Sequence, residues 1–251
     1  MNKMLRLSVF AVLVHCVLPG AAAAETKDDD AYTALRIELV EDVAHSIRRT
    51  HAETGVEKLS ERLLQAMRDV PRHAFVPPQL RPYAYFDVPL PVGHDQNISQ
   101  PFLIALMIEL VDIKATDVVF ETGTGAGYQA AILSKLAKQV FSVEVIAPLA
   151  RRAQSLITEM GYENVEIRHA DGFYGWRDRG PYDAMIIKEA INFLPGPLLN
   201  QLKPGGRLIA PIGPLDRGQM LTLVEKSATG AIKETPLIPG RFSPLQGGKR
   251  I

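Results

Sequence analysis

The chain has 251 residues, 47% of them hydrophobic, enough for one sizeable core or one domain with an appended layer. Its 28 basic residues balance its 28 acidic ones, and only 7% are aromatic. Bulk charge therefore points to neither nucleic acid nor an anionic membrane surface, and no aromatic residues are interleaved with basic clusters.

The first 24 residues read as a separate unit. Lys3 and Arg6 make a basic start, Leu7 to Leu18 an apolar run, and "PGAAAA" a small-residue end. This is the anatomy of a secretory signal, with cleavage expected after Ala22-x-Ala24 and before Glu25. The apolar run falls short of the roughly 20 residues that span a bilayer. An N-terminal membrane anchor is the alternative. Cys16 is the single cysteine and lies inside this run, so the mature chain is expected to contain no thiol, disulfide or cysteine-ligated metal. The expected location is the periplasm or the exterior, with no stable membrane association after cleavage; a cytoplasmic or membrane-anchored protein is the alternative.

After the polar "ETKDDD", Leu35, Leu39, Val40 and Val43 recur at helical spacing between Tyr32 and Ser46. A second helix is predicted over Ser60 to Asp69, with Ser60 as its cap and Pro71 beyond its end. Residues 77–101, with Pro77, Pro78, Pro82, Pro89, Pro91 and Pro101, read as a long extended, irregular segment of the kind that is more often functional than idle. The pattern then changes. "DVVFET", "QVFSVEV", "VEIRHA", "YDAMIIK" and "GRLIAPI" are short β-branched runs, separated by helical stretches at Tyr128 to Ala137, Pro148 to Met160 and Leu194 to Leu202. Such alternation predicts a parallel sheet covered on both faces. "MLTLVEKS" and "IKETPLI", joined by "ATGA", read as a closing antiparallel pair.

"FETGTGAGYQAAIL" (120–133) carries the central motif, with Gly123, Gly125 and Gly127 at alternate positions between a strand and a helix. The dinucleotide fingerprint requires a glycine three residues after the second, and Tyr128 stands there. A Walker loop is excluded because no Gly-Lys-Ser/Thr follows. The simplest partner is an adenosine bearing a short tail without phosphate. Glu144, ending the next strand, could accept from both ribose hydroxyls, and Asp171, after the third strand, could take an adenine amino group. Singly these residues read equally as a solvated strand end and a turn residue. In register with the glycine loop they make one nucleoside pocket.

At these residues the chain resembles the protein-L-isoaspartate O-methyltransferase family, whose members transfer a methyl group from S-adenosylmethionine to the carboxylate of damaged aspartyl residues. The similar stretches are "DVPRHAFVP" (69–77), "AYFDVPLPVG" (84–93), "ISQP" (98–101), "ETGTGAGYQAAIL" (121–133), "DGFYGW" (171–176), "LKPGGRLIAPIG" (202–213) and "RFSPLQG" (241–247). "ISQP" is specific to the family, whereas the glycine loop alone would indicate only a class I methyltransferase. The resemblance implies an α/β, Rossmann-like class I methyltransferase fold: a mostly parallel twisted sheet with helices on both faces and an N-terminal helical extension. With the signal read above (1–24), the chain is expected to divide further into a helical and substrate-loop region (25–101) and the S-adenosylmethionine-binding domain (102–251). Gly123, Thr124 and Gly125 are implied to hold the methionine portion of the cofactor, Glu144 its ribose, and Asp171 with Gly172 its adenine. Ser99 matches the family's active-site serine, flanked by Ile98 and Gln100 as substrate-binding neighbours. The implied partners are isoaspartyl-containing proteins or peptides, and a monomer is the expected state.

Carboxylate methylation needs no general base, because the acceptor is already ionised near neutral pH. Excluding water and aligning oxygen, methyl and sulfur in line supplies most of what is required. Ser99 is therefore expected to orient the carboxylate rather than to act as a nucleophile; it also reads as a cap for the helix that follows. No metal is expected, since neither His73 nor His94 has a second ligand at helical spacing, and Trp176 reads as packing. The chain departs from the family pattern at "AMIIKEAINFLPGP" (184–197), where small residues are usual, and at Asn97, Ala126 and Gln246. Lys188 could attract a substrate carboxylate, and Glu189 would repel one unless paired with Lys188. The alternative is a solvated ion pair of little consequence. These departures leave open another acceptor or a non-catalytic scaffold. Export adds a further demand, since S-adenosylmethionine is made in the cytoplasm.

Overall fold

The computed structural model describes residues 20–245, with side chains from residue 31 onward. The apolar run Leu7 to Leu18, Cys16 and Gln246 lie outside the described residues.

The first helix, α1 (Gly20–Arg49), buries Leu39, Val40, Val43 and Ile47 on one stripe, at the spacing that brings residues four apart onto one face. Leu35 does not join them: it is 40% exposed, and the neighbouring Arg36 is buried instead. Arg48 and Arg49 occupy the last turn, where positive charge suits the helix dipole. After the short α2 (His51–Thr54), closed by Gly55 at φ 70°, comes α3 (Glu61–Asp69), which buries Leu63, Ala66 and Met67. Ser60 precedes α3 in extended conformation but makes no side-chain cap to it. Its amide and hydroxyl both donate to the Glu109 carboxylate at 3.0 Å, tying α3 to a later helix.

The proline-rich segment is more ordered than its composition suggests. Short 3₁₀ helices at Arg72–Phe75 and Pro78–Tyr83 lead into an antiparallel hairpin of β1 (Leu90–Gly93) and β2 (Gln96–Ile98). His94 and Asp95 turn it with φ of 54° and 56°, the left-handed pair a two-residue hairpin loop demands. Helix α4 (Pro101–Leu110) follows, with Pro101 at its first position, where the missing N–H is no loss. The residue at its cap is Gln100, not Ser99, and the capping oxygen comes from elsewhere: Asp87 Oδ1 accepts from the Phe102 amide at 2.8 Å.

Beyond α4 the chain alternates as predicted: β3 (Val118–Thr122), α5 (Tyr128–Ser134), β4 (Gln139–Glu144), α6 (Ala147–Glu159), β5 (Val165–His169), β6 (Tyr182–Ile186), α7 (Gly196–Gln201) and β7 (Leu202–Ile212). α7 is shorter than its predicted span because Pro195 and Pro197 bracket its start. The hairpin β8 (Gln219–Lys226) and β9 (Ile232–Gly240) closes the sheet, whose order is β5-β4-β3-β6-β7-β8-β9. β3 to β7 run parallel and the last two pairings are antiparallel. This is a Rossmann-like class I arrangement.

Core residues lie on both faces of the sheet. Val119 faces a cluster with α1, α3, α4 and α5, while its neighbour Phe120 faces the opposite cluster of Phe141, Tyr182, Met185, Leu198 and Leu208. Trp176 packs here, edge-on to Phe141. Because the first cluster runs from Leu39 to Leu221, residues before and after position 101 share one core. Truncating Ile47, fully buried on α1, removes apolar volume that this shared core cannot easily refill. Ile47→Ala should destabilise the protein by about 2–5 kcal/mol, read as a lowered denaturant midpoint of the single unfolding transition.

Candidate functional site

Strand order reverses at β3, whose neighbours are β4 on one side and β6 on the other. In open parallel sheets the crevice beyond the carboxyl ends at such a point is where ligands bind. A cavity of about 730 Å³ opens there, within the common range for small-molecule sites.

The glycine loop forms its floor. Gly123, Gly125 and Gly127 all adopt left-handed conformations, with φ of 61°, 59° and 95°. Only glycine takes these without strain, which explains the alternate spacing. Gly123 and Gly125 line the cavity. A Cβ on Gly125 would meet no atom nearer than the Gly123 carbonyl, 3.7 Å away, so the missing side chain leaves open space for a ligand to approach the backbone.

The loop is laced to β4. The Gly125 amide donates to Glu144 Oε2 at 2.8 Å, and the Ile146 amide donates to Oε1 at 2.9 Å. These bonds fix the Glu144 carboxylate at the cavity wall. Beneath the loop, the Ser142 hydroxyl donates to Glu121 Oε1 at 2.8 Å and is itself bonded to the Thr124 hydroxyl. Since serine has one proton to give, Thr124 is the donor in that second bond. Thr124 therefore turns away from the large cavity and lines only a small recess of about 20 Å³ under the loop.

Past β5, Ala170 and Gly172 line the cavity. Asp171 stands between them, buried, with Oδ1 accepting from the Phe173 amide at 2.9 Å and so capping the next 3₁₀ turn. A Cβ on Gly172 would fall 2.6 Å from Thr122 Cγ2. Glycine is thus required there by packing as well as by access.

Past β6, Lys188 and Glu189 do not form the solvated ion pair that is the alternative to a role for Lys188 at the site. Lys188 is 12% exposed and its Nζ lies 3.3 Å from Glu121 Oε2, at the end of β3. Glu189 turns the other way and bonds the Thr122 hydroxyl. Both line the cavity. Burial pushes the Glu121 and Glu189 carboxyls above the ordinary carboxylate range; Lys188 opposes this for both, aided by Ser142 at Glu121 and by Thr122 at Glu189.

The opposite wall comes from the proline-rich segment. Ser99 and Gln100 line the cavity, as do Asn97 and Phe102. Ile98, expected beside a substrate, is instead 5% exposed and packed in the core, because alternation along β2 turns it inward while Asn97 turns out. Arg72 holds this wall in place. Fully buried, it donates to the Ser99 carbonyl and to the Val88 carbonyl, each at 3.0 Å, and its guanidinium carbon lies 5.1 Å from the ring centroid of Tyr128, the first residue of α5. Gln100 Nε2 donates to Asp87 at 3.1 Å. His73 bonds the Tyr85 hydroxyl at 2.7 Å and stacks on Tyr32, so its imidazole is taken up by packing.

A strap at Arg241–Leu245 covers the remaining side. It is pinned to Ala190 by two 2.8 Å backbone bonds and to Gln219, whose Oε1 accepts from the Phe242 amide at 3.1 Å. Reasoning from residue types assigned no role to this strap; only its place in the "RFSPLQG" stretch marked it.

Comparison with known proteins gives a consistent picture. The sequence profile described as protein-L-isoaspartate(D-aspartate) O-methyltransferase matches residues 44–250. A protein-L-isoaspartate O-methyltransferase 2 of Syntrophobacter fumaroxidans is 42% identical over 98% of this chain and all of that relative. A protein-L-isoaspartate O-methyltransferase 1 of Cupriavidus necator is 41% identical over 94% of this chain and 91% of its own. Among solved structures, a protein-L-isoaspartate O-methyltransferase superposes with a TM-score of 0.71 at 28% identity, over 83% of this chain and 66% of that one. A β-aspartate methyltransferase structure from Plasmodium falciparum, in complex with S-adenosyl-L-homocysteine, superposes at 0.69 with 21% identity, over 84% of this chain and 98% of that one.

Replacing Arg72 by lysine keeps the charge but loses the planar fork that reaches two carbonyls at once. Arg72→Lys should raise amide hydrogen exchange across residues 88–100 about tenfold, equivalent to about 1.4 kcal/mol, and leave β3 and β4 unchanged.

Proposed function

Because this chain belongs to the protein-L-isoaspartate(D-aspartate) O-methyltransferase family, we propose that its cavity is the site where a methyl group passes from S-adenosylmethionine to an L-isoaspartyl carboxylate. The enzyme is S-adenosylmethionine-dependent and acts on isoaspartyl-containing proteins in the manner of a repair methyltransferase. The observation that supports the site most directly is the open space over Gly125, flanked by the fixed Glu144 carboxylate.

When bound, S-adenosylmethionine supplies a methyl group on a positively charged sulfur. The chain's residues do the remainder. Glu144, already oriented by two amides, accepts from the ribose hydroxyls with its remaining lone pairs. Gly123 and Gly125 admit the methionine portion, and Gly172 with Asp171 borders the adenine. Thr124 serves by bracing the loop against Ser142. On the acceptor side Ser99 donates its hydroxyl to the substrate carboxylate, and Gln100 borders the same carboxylate. Lys188, anchored from below by Glu121, offers its ammonium to the incoming negative charge. No residue need remove a proton, because the acceptor is ionised at neutral pH. Phe102 and Leu103 on one side and the 241–245 strap on the other keep water from the reacting atoms. Functionally, the 25–101 region carries Ser99 and Gln100 of the acceptor wall, and the domain that follows carries the cofactor pocket together with Lys188.

Calorimetric titration with S-adenosylmethionine, followed by methylation of an isoaspartyl peptide in the same buffer, tests this assignment. Ser99→Ala should leave cofactor affinity unchanged and lower turnover roughly 10- to 100-fold, the worth of one hydrogen bond to a charged group. Unchanged turnover would remove Ser99 from the mechanism. Binding without methyl transfer to the peptide would point to a different acceptor.

No helix among the described residues is long and apolar enough to cross a membrane. The basic start, apolar run and Ala22-x-Ala24 of the first 24 residues support export to the periplasm with removal of that segment. N-terminal sequencing of protein recovered from the natural source should begin at Glu25; a chain still beginning at Met1 would contradict export by cleavage.

A further inference from the structure

The order of the strands lays out the cavity from end to end. Ala170 and Gly172 follow β5, Glu144 ends β4, Gly123 follows β3 and Glu189 follows β6, and all of them line one space. With the nucleoside over β5 and β4, the amino-acid tail of the cofactor must run across β3 toward β6. That tail ends in an α-ammonium and an α-carboxylate.

Glu189 is the acidic group waiting at that end. Its carboxyl presses on the glycine loop: Oε1 lies 1.8 Å from where a Cβ on Gly123 would be. Its other oxygen is bonded to the Thr122 hydroxyl. The charged groups around it are Lys188 and Glu144. The cation among them, Lys188, is committed to Glu121 at 3.3 Å, and among the described residues Glu189 forms no ion pair. A carboxylate held in a cavity wall without a cation is costly, and a ligand that brings one removes the cost.

We infer that Glu189 binds the α-ammonium of the cofactor's methionine end, using the oxygen not engaged by Thr122. The inference rests on S-adenosylmethionine being the cofactor and adds a binding group from the β6 side of the cavity. Burial raises the proton affinity of this carboxyl, and an arriving ammonium would oppose that effect and favour the ionised form.

Three ligands separate the possibilities. S-Adenosylmethionine carries both sulfonium and ammonium, S-adenosylhomocysteine only the ammonium, and 5′-methylthioadenosine neither. Their affinities for wild type and for Glu189→Ala are measured by calorimetry. The substitution should weaken S-adenosylmethionine and S-adenosylhomocysteine alike, about 10- to 100-fold, and leave 5′-methylthioadenosine within about twofold. Glu189→Gln, which keeps shape and the Thr122 contact but not the charge, should give the same contrast and serves if the alanine variant fails to fold. Equal loss for all three ligands, loss confined to S-adenosylmethionine, or no loss would each overturn the assignment. If wild type bound none of them, the cofactor itself would be wrong, and this inference would fall with it.

Discussion

Glu121 is fully buried at the carboxyl end of β3, and a carboxylate in such a place costs several kcal/mol unless its oxygens are paired. One oxygen takes the Ser142 hydroxyl from β4 and the other faces Lys188, which follows β6. Satisfying this one group therefore ties together the ends of three neighbouring strands at the point where the strand order reverses. The same bonds set the glycine loop, because Ser142 also holds Thr124. Glu144 then fastens the loop a second time through the Gly125 amide. The cradle is held open by its surroundings before any ligand arrives, which lowers the ordering cost of binding.

The acceptor wall is built on the same economy of shared partners. Arg72 spans from the Ser99 carbonyl to the face of Tyr128, so the loop bearing Ser99 and the helix leaving the glycine loop are braced by one side chain. Asp87 caps α4 with one oxygen and holds Gln100 with the other. Donor and acceptor walls are thereby kept in fixed relation, as alignment of an in-line methyl transfer requires.

Lys188 and Glu189 lie side by side in sequence yet serve different partners in the fold. One neutralises the buried carboxylate of β3 and the other leans on the glycine loop through Thr122. Two opposite charges thus stand on a cavity wall where small residues would leave it neutral.

Much of this protein could be read from residue order alone, because it depends on local rules. Strand and helix alternation follows from hydrophobic period, the glycine loop from the need for positive φ, and the placing of Glu144 from its position as the last residue of a strand. The proline-rich stretch hid a hairpin because its turn is made by His94 and Asp95, which enter left-handed conformations without glycine to signal them. The side-chain partners could not be read at all. Whether Ile98 faces substrate or core depends on which side of β2 the sheet and helices cover, and Thr124 turns under the loop because Ser142 waits on the next strand. Lys188 finds Glu121 across 67 residues of chain, a pairing that exists only because β6 lies beside β3. Sequence determined which elements form and where the backbone must bend, since those are choices among neighbours along the chain. Tertiary structure decided which charges meet and which side chains reach the cavity, since burial and pairing are properties of distant segments brought together.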